Sequence, residues 1–283
     1  MAKRRRSFSK SRMPTILVHL GLLAGLVFAA FPVLWMFFSS LKSNTEIFAL
    51  PPRLLPKVFT LEAYRTIFSD PTKVRFFLNS YLVAGIVTCL TVAIATVTAY
   101  AFSRYRFRGK NPLNVFIIST QTVPPITLLI PYFGMVVALR IFDTYAALVL
   151  TYLVFTLPYA ILLMTGFLNT LPKELDEAVL VDGGSSWTAL WRVVVPLSVP
   201  GIVATAVYTF LLSWNEFLFA LTLTKSMDMR TVPIGISLLM GQHAFEWNEM
   251  MAMSVLGALP LLALYLIAQR YFLAGMTSGS VKS

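Results

Sequence analysis

Long uncharged, apolar runs alternate with short charged stretches along this chain. Six runs cover Met13–Leu41, Phe76–Ser103, Asn111–Leu139, Thr144–Pro172, Val193–Asn215 and Met250–Gln269, and the fifth continues past Glu216 to Thr224. Each is long enough to cross a bilayer, which takes roughly 20 residues. Each is predicted to be helical, because an unpaired backbone amide in hydrocarbon costs several kcal/mol. The third run contains Pro124, Pro125 and Pro131. Adjacent prolines cannot continue a regular helix, so a break near its middle is expected. Irregular backbone at that depth is tolerated where it lines a cavity, which makes Gln121 a candidate on a solute path.

One polar interruption departs from the pattern. Lys173–Gly201 spends nearly thirty residues between the fourth and fifth runs and holds Glu174, Asp176, Glu177 and Asp182, four of the twelve acids. Leu175, Ala178 and Val179 fall at helical spacing, and Glu174 and Asp176 suit the dipole of a first turn. Gly183–Gly184 can supply a left-handed end to that helix. Ser185 or Ser186 can cap a second one through Trp187, Leu190 and Trp191, and Pro196 and Pro200 mark the return to the membrane. The expected product is a knob made of helix, glycine turn and helix.

Composition settles the solvent. Of 283 residues, 57% are hydrophobic and 12% charged, against about 45–50% and about 25% in soluble domains. The chain is read as all-α and integral to the membrane, a single domain over 13–272. A basic segment, 1–12, precedes it and a tail, 273–283, follows. The first run is too long for a cleaved signal peptide and is expected to stay as an anchor.

The net charge of +11 follows membrane orientation rather than nucleic acid. With both ends in the cytoplasm, fourteen Lys and Arg lie inside and nine outside, as the positive-inside rule prefers. The knob is then cytoplasmic. The first external loop, Lys42–Arg75, carries Pro51, Pro52, Pro56 and Pro71 and is expected to be ordered without long helices.

Catalytic chemistry is sparse. Gly109–Lys110 is the only Gly-Lys pair and lacks the pattern of a phosphate loop. No Ser/His/Asp or Cys/His arrangement offers a nucleophile. His19 and His243 are a poor metal pair, and Cys89 reads as a small buried apolar residue. Glu216 is the single acid inside the apolar runs, whereas proton-coupled carriers show several intramembrane ionisable groups. Two readings of Glu216 stand: a hydrogen bond to a neighbouring helix, or a place on the solute path beside Trp214 and Asn215. The aromatics Tyr152, Phe155 and Tyr159 suit packing, with Tyr159 also a candidate for contact with solute.

Glu177-Ala178-Val179, Asp182-Gly183-Gly184 and Val195-Pro196 with Pro200 resemble the EAA loop of ATP-binding-cassette importer permeases. Val179 in place of the second Ala, and Val195 where Leu is common, are mild departures. Ser213-Trp214-Asn215-Glu216-Phe217, Phe77-Leu78-Asn79-Ser80 and the tail from Ala274 to Lys282 are similar to carbohydrate permeases, in particular the second, six-span permease of the maltose transporter family. The resemblance implies that Asp176, Glu177, Ala178, Asp182, Gly183 and Pro196 couple to an ATPase. The candidates for the substrate path are Asn79, Trp214, Asn215 and Glu216 in the matched segments, together with Gln121 beside the broken third run and Tyr159 in the fourth. The resemblance also implies a second, non-identical permease, two cytoplasmic ATPase subunits that bind ATP and magnesium, an external solute-binding protein and a sugar cargo, with no cofactor in this chain. The alternatives are an importer of another solute, such as a polyamine or phosphate ester, an ion-coupled carrier, or a membrane enzyme.

Overall fold

The computed structural model describes residues 15–240 and 246–278. The basic segment 1–12, His243 and the last five residues of the tail lie outside the described residues. The described elements are helical. Helix α1 spans Thr15–Ser40, and the loop that follows holds only the short α2 (Asn44–Ile47) and α3 (Glu62–Ser69). Helix α4 (Pro71–Arg104) is the longest. Next come α5 (Lys110–Thr120), a 3-10 turn (Pro125–Leu128), α6 (Leu129–Ala138) and α7 (Tyr145–Leu168). The knob consists of α8 (Glu174–Val181), α9 (Ser186–Ala189), a π-helical turn (Leu190–Val194) and α10 (Val195–Leu197). Helices α11 (Val199–Trp214), α12 (Leu218–Leu223), α13 (Val232–Leu238) and α14 (Trp247–Ser278) complete the chain.

Four helices, α1, α4, α7 and α14, are long and apolar enough to cross a membrane, and two further pairs are bent. The segment 110–138 turns by 95° at its break, and the segment 186–214 turns by 76°. The first bend lies where Pro124–Pro125 predicts it. Counting each bent pair as one span gives up to six.

The core is a seam between α4 and α7. Val83, Val87, Thr91, Ala95 and Ala99 repeat every four residues and are buried against Leu148, Tyr152, Thr156, Ala160, Met164 and Leu168, which repeat likewise. Rows at i±4 interdigitate in this way when two helices pack ridge into groove. Small residues let the backbones approach where lipid offers no hydrophobic drive between helices. At the centre the hydroxyls of Thr91 and Thr156 share a hydrogen bond of 2.8 Å, satisfying two polar groups that hydrocarbon would penalise. Helix α11 lies across both, and α1 rests on α14.

Three expectations need correction. Helix α4 begins at Pro71, five residues before the apolar run, because the Asp70 carboxylate accepts the Thr72 N–H and proline suits the first helical turn. The fifth run does not continue as one helix through Glu216; it stops at Trp214 and restarts at Leu218. Cys89 is exposed rather than buried. It stands two residues from Val87 and from Thr91, about 200° around the helix from each, and so faces away from the seam.

Candidate functional site

The knob owes its shape to how α8 ends. The Gly184 N–H donates to the Val179 carbonyl (2.8 Å) and the Gly183 N–H to the Leu180 carbonyl (3.1 Å). This pairing is a Schellman motif, and Gly183 sits at its left-handed position with φ +81°. A Cβ on Gly184 would lie 2.9 Å from the Val179 carbonyl oxygen, so the second glycine is required for close approach. The Ser185 hydroxyl then accepts the Thr188 N–H at 3.2 Å and caps α9.

The turn leaves one surface open. Glu174, Glu177, Ala178, Asp182 and Gly183 are exposed, and beside them Val181 is 86% and Leu180 49% exposed. Trp187 is also open and meets Trp191 edge to face, with centroids 5.6 Å apart. Pro196 is exposed in α10, just before the bend that leads into α11. Asp176 differs from the other residues expected to couple. It is buried, its Oδ1 accepts the Tyr100 hydroxyl at 2.8 Å, and its Oδ2 lies 2.8 Å from Arg104 Nε. That Arg–Asp contact is a close ion pair without hydrogen-bond alignment. Asp176 therefore fastens the knob from beneath. Carboxylate, apolar ridge and tryptophan pair give the outer surface the mixed chemistry of a protein interface core and rim.

A second feature lies at the bend of the third apolar segment. A cavity of about 480 Å³ is lined by Gln121, Pro125, Tyr132, Pro158, Tyr159 and Tyr208 among others. The rings of Tyr159 and Tyr208 stack with centroids 3.9 Å apart. Pro158 has no N–H to give the Val154 carbonyl, and both residues line the cavity. Aromatic walls with a few polar groups are what a small-molecule pocket in this size range presents.

Of the six candidates for the solute path, the structure brings Gln121 and Tyr159 together here. Asn79 is buried elsewhere, donating to the carbonyls of Asp228 (2.8 Å) and Arg230 (2.7 Å) and accepting from the Tyr145 hydroxyl (2.7 Å). Trp214 is buried with its Nε1 donating to the Gly257 carbonyl at 3.1 Å. Asn215 is exposed and bonds its own helix at the Leu211 carbonyl. Glu216 caps α12: its Oε1 accepts the Phe219 N–H (2.8 Å), and its Oε2 accepts the Ala220 N–H (2.9 Å) and the Tyr152 hydroxyl (2.8 Å). The hydrogen bond to a neighbouring helix, one of its two readings, is formed. Tyr208 was not among the candidates. Its only signal in sequence is the i, i+4 pairing with Leu212, which also lines the cavity.

The fold and these two features define a multi-helix membrane protein with broken spans around a cavity and a structured polar knob on one end. The family described as binding-protein-dependent transport system inner membrane component matches residues 89–278, and the chain belongs to it. This bears out the resemblance to importer permeases.

The sulfoquinovosyl glycerol transport system permease protein of Agrobacterium fabrum is 36% identical over 257 residues, covering 91% of this chain and 90% of that protein. The trehalose/maltose transport system permease protein of Thermococcus litoralis is 35% identical over 94% of this chain and 96% of its own. The fold is also similar to a chain of a bacterial ABC transporter involved in import of the acidic polysaccharide alginate. That match has a TM-score of 0.81 at 20% identity and covers 96% of this chain and all of the other.

Proposed function

We propose that this chain is the six-span permease subunit of an ATP-binding-cassette importer for a sugar or sugar derivative. It pairs with a second, non-identical permease, with two ATPase subunits at the cytoplasmic face and with an external solute-binding protein. Each bent pair counts as one crossing, and both ends are cytoplasmic, in keeping with the excess of Lys and Arg on that side. ATP and magnesium bind the ATPase subunits, and no residue of this chain is assigned to them.

The observation that carries this reading is the knob. Its inner side is locked to the membrane helices through Asp176, while its outer side offers Glu177, Leu180, Val181 and Asp182 to a partner. Closure of the ATPase dimer would push on that surface and displace helices packed around the cavity at Tyr159 and Tyr208. The permeases of sulfoquinovosyl glycerol and of trehalose/maltose systems, each more than a third identical, favour a glycoside over a polyamine or phosphate ester. Sugar rings stack on aromatic faces, and the Tyr159–Tyr208 pair supplies one.

The test is uptake by proteoliposomes holding the complete complex, with sugars, polyamines and phosphate esters offered through the cognate binding protein. ATP-dependent accumulation of a sugar is expected. Uptake of a non-sugar solute alone contradicts the cargo assignment, and uptake driven by an ion gradient without ATP contradicts the class.

A further inference from the structure

Helix α4 carries polar anchors at both ends. At the knob end Tyr100, Ser103 and Arg104 stand at i, i+3 and i+4 and so share one face. The Arg104 side chain is 6% exposed; its Nη1 donates to the carbonyls of Leu168 (3.2 Å) and Leu171 (3.3 Å), while Nε sits 2.8 Å from Asp176. The Tyr100 hydroxyl donates to Asp176 and lies 3.3 Å from the Ser186 carbonyl. Ser103 donates to Asn169 Oδ1 at 2.8 Å. One face of α4 thus holds the end of α7, the body of α8 and the start of α9.

The other end is held as firmly. Asn79 donates to the carbonyls of Asp228 and Arg230, and the Ser80 hydroxyl accepts the buried Val232 N–H at 2.9 Å. These bonds fasten the outer loop 225–231, with its 3-10 turn at Met227–Met229, that leads into α13. The 21 residue steps from Asn79 to Tyr100 span about 32 Å of helix at 1.5 Å per residue.

Packing alone would keep the knob in place, since Ala189, Leu190 and Val194 are buried against Ala95, Ala99, Met164 and Leu168. Such contacts are non-directional and permit sliding. Buried hydrogen bonds to a charged group are directional, and breaking one leaves a desolvated charge unpaired. The polar cluster therefore adds a fixed direction to a contact that is already stable.

We propose that α4 is the lever that carries displacement of the knob to the outer loop 225–231, with Arg104, Tyr100 and Asp176 as its inner joint and Asn79 and Ser80 as its outer joint. Arg104, Tyr100 and Ser80 are positioning residues, none of which borders the Tyr159–Tyr208 cavity. The proposal rests on the importer reading and adds the route by which ATP-driven motion reaches the outer face.

The test measures ATP hydrolysis and sugar uptake on the same proteoliposomes of the complete transporter, for Arg104→Ala, Arg104→Lys, Tyr100→Phe and Ser80→Ala. Arg104→Ala is expected to keep hydrolysis within about two-fold and to lower sugar moved per ATP about five-fold or more, the range of ordinary coupling between sites. Arg104→Lys recovers part of that, because an ammonium reaches Asp176 but not both carbonyls as well. Tyr100→Phe keeps its ring in the core, and Ser80→Ala touches only the outer joint. Both are expected to lower sugar per ATP in the same direction. The proposal is overturned if sugar per ATP is unchanged in Arg104→Ala and Ser80→Ala. It is equally overturned if hydrolysis, uptake and retention of the ATPase subunits fall together in every variant, which marks the cluster as a strut. Absence of ATP-driven sugar uptake by the wild-type complex is a separate result and counts against the importer reading instead.

Discussion

The hydroxyl of Tyr152 donates to Glu216 Oε2 across 2.8 Å, joining the middle of α7 to the break between α11 and α12. The same carboxylate accepts the N–H groups of Phe219 and Ala220, so a single acid caps the start of α12 and ties it to α7. Replacing Glu216 with Ala orphans these donors in a poorly hydrated region. The expected cost is about 1–3 kcal/mol, seen as a lower melting temperature of the purified protein in detergent. Glu216→Gln keeps an acceptor oxygen and should lose less. Equal melting of Glu216→Ala and wild type would refute the capping role.

Gly183 occupies the left-handed region with φ +81°. A β-branched residue there is strained by about 1–2 kcal/mol, and the Schellman turn that presents Glu177 and Val181 should distort. Gly183→Val is expected to reach the membrane at normal levels by immunoblot while sugar uptake falls sharply. Gly183→Asn, which tolerates this backbone, should retain most uptake.

Asp143 links the segment before α7 to the segment after α12. It has φ 61°, and its carboxylate accepts the N–H groups of Lys225 (2.8 Å) and Ser226 (3.1 Å). Desolvation pushes its pKa up, but the backbone donors of Lys225 and Ser226 outweigh that and hold it below the usual 3.8. A carboxyl with a lowered folded pKa stabilises above its unfolded value and loses that contribution as pH falls through the folded one. Asp143→Asn should therefore melt lower than wild type at neutral pH, with the gap closing only below about pH 4. A gap that persists unchanged at about pH 3 would rule out ionisation as its source.

Tyr208 stacks on Tyr159 in the cavity wall. Under the sugar-permease reading, Tyr208→Ala removes an aromatic platform while leaving the knob and its anchors intact. The half-saturating sugar concentration for uptake should rise, by roughly ten-fold if about 1.4 kcal/mol of contact is lost. ATP hydrolysis without sugar should be unaffected. An unchanged sugar dependence would place the solute path elsewhere.

Much of this organisation is legible in the residues. Apolar run length marks the membrane helices, Pro124–Pro125 marks the broken third segment, and the Gly183–Gly184 pair with Ser185 spells out the knob turn. The break at Asn215–Phe217 is hidden because the apolar run continues through it. Its local signal is an acid placed three and four residues before the N–H groups it caps. The carbonyl partners of Asn79 and Trp214 were not legible in sequence, because backbone acceptors leave no trace in residue identity. The Arg104–Asp176 pair is likewise invisible, because 72 positions separate its members; only the shared face of Tyr100, Ser103 and Arg104 hints at a polar contact.

The central claim is that the open surface of the knob receives the ATPase subunit. Leu180 and Val181 form its exposed apolar ridge, and a carboxylate placed there would be desolvated on docking. The decisive measurement is co-purification of the ATPase subunits with the chain, together with ATP-driven uptake, for wild type and Val181→Asp. The account predicts that wild type retains the subunits and accumulates sugar, while Val181→Asp, folded and in the membrane, loses both. A Val181→Asp complex that keeps its ATPase subunits and transports at the wild-type rate would contradict it.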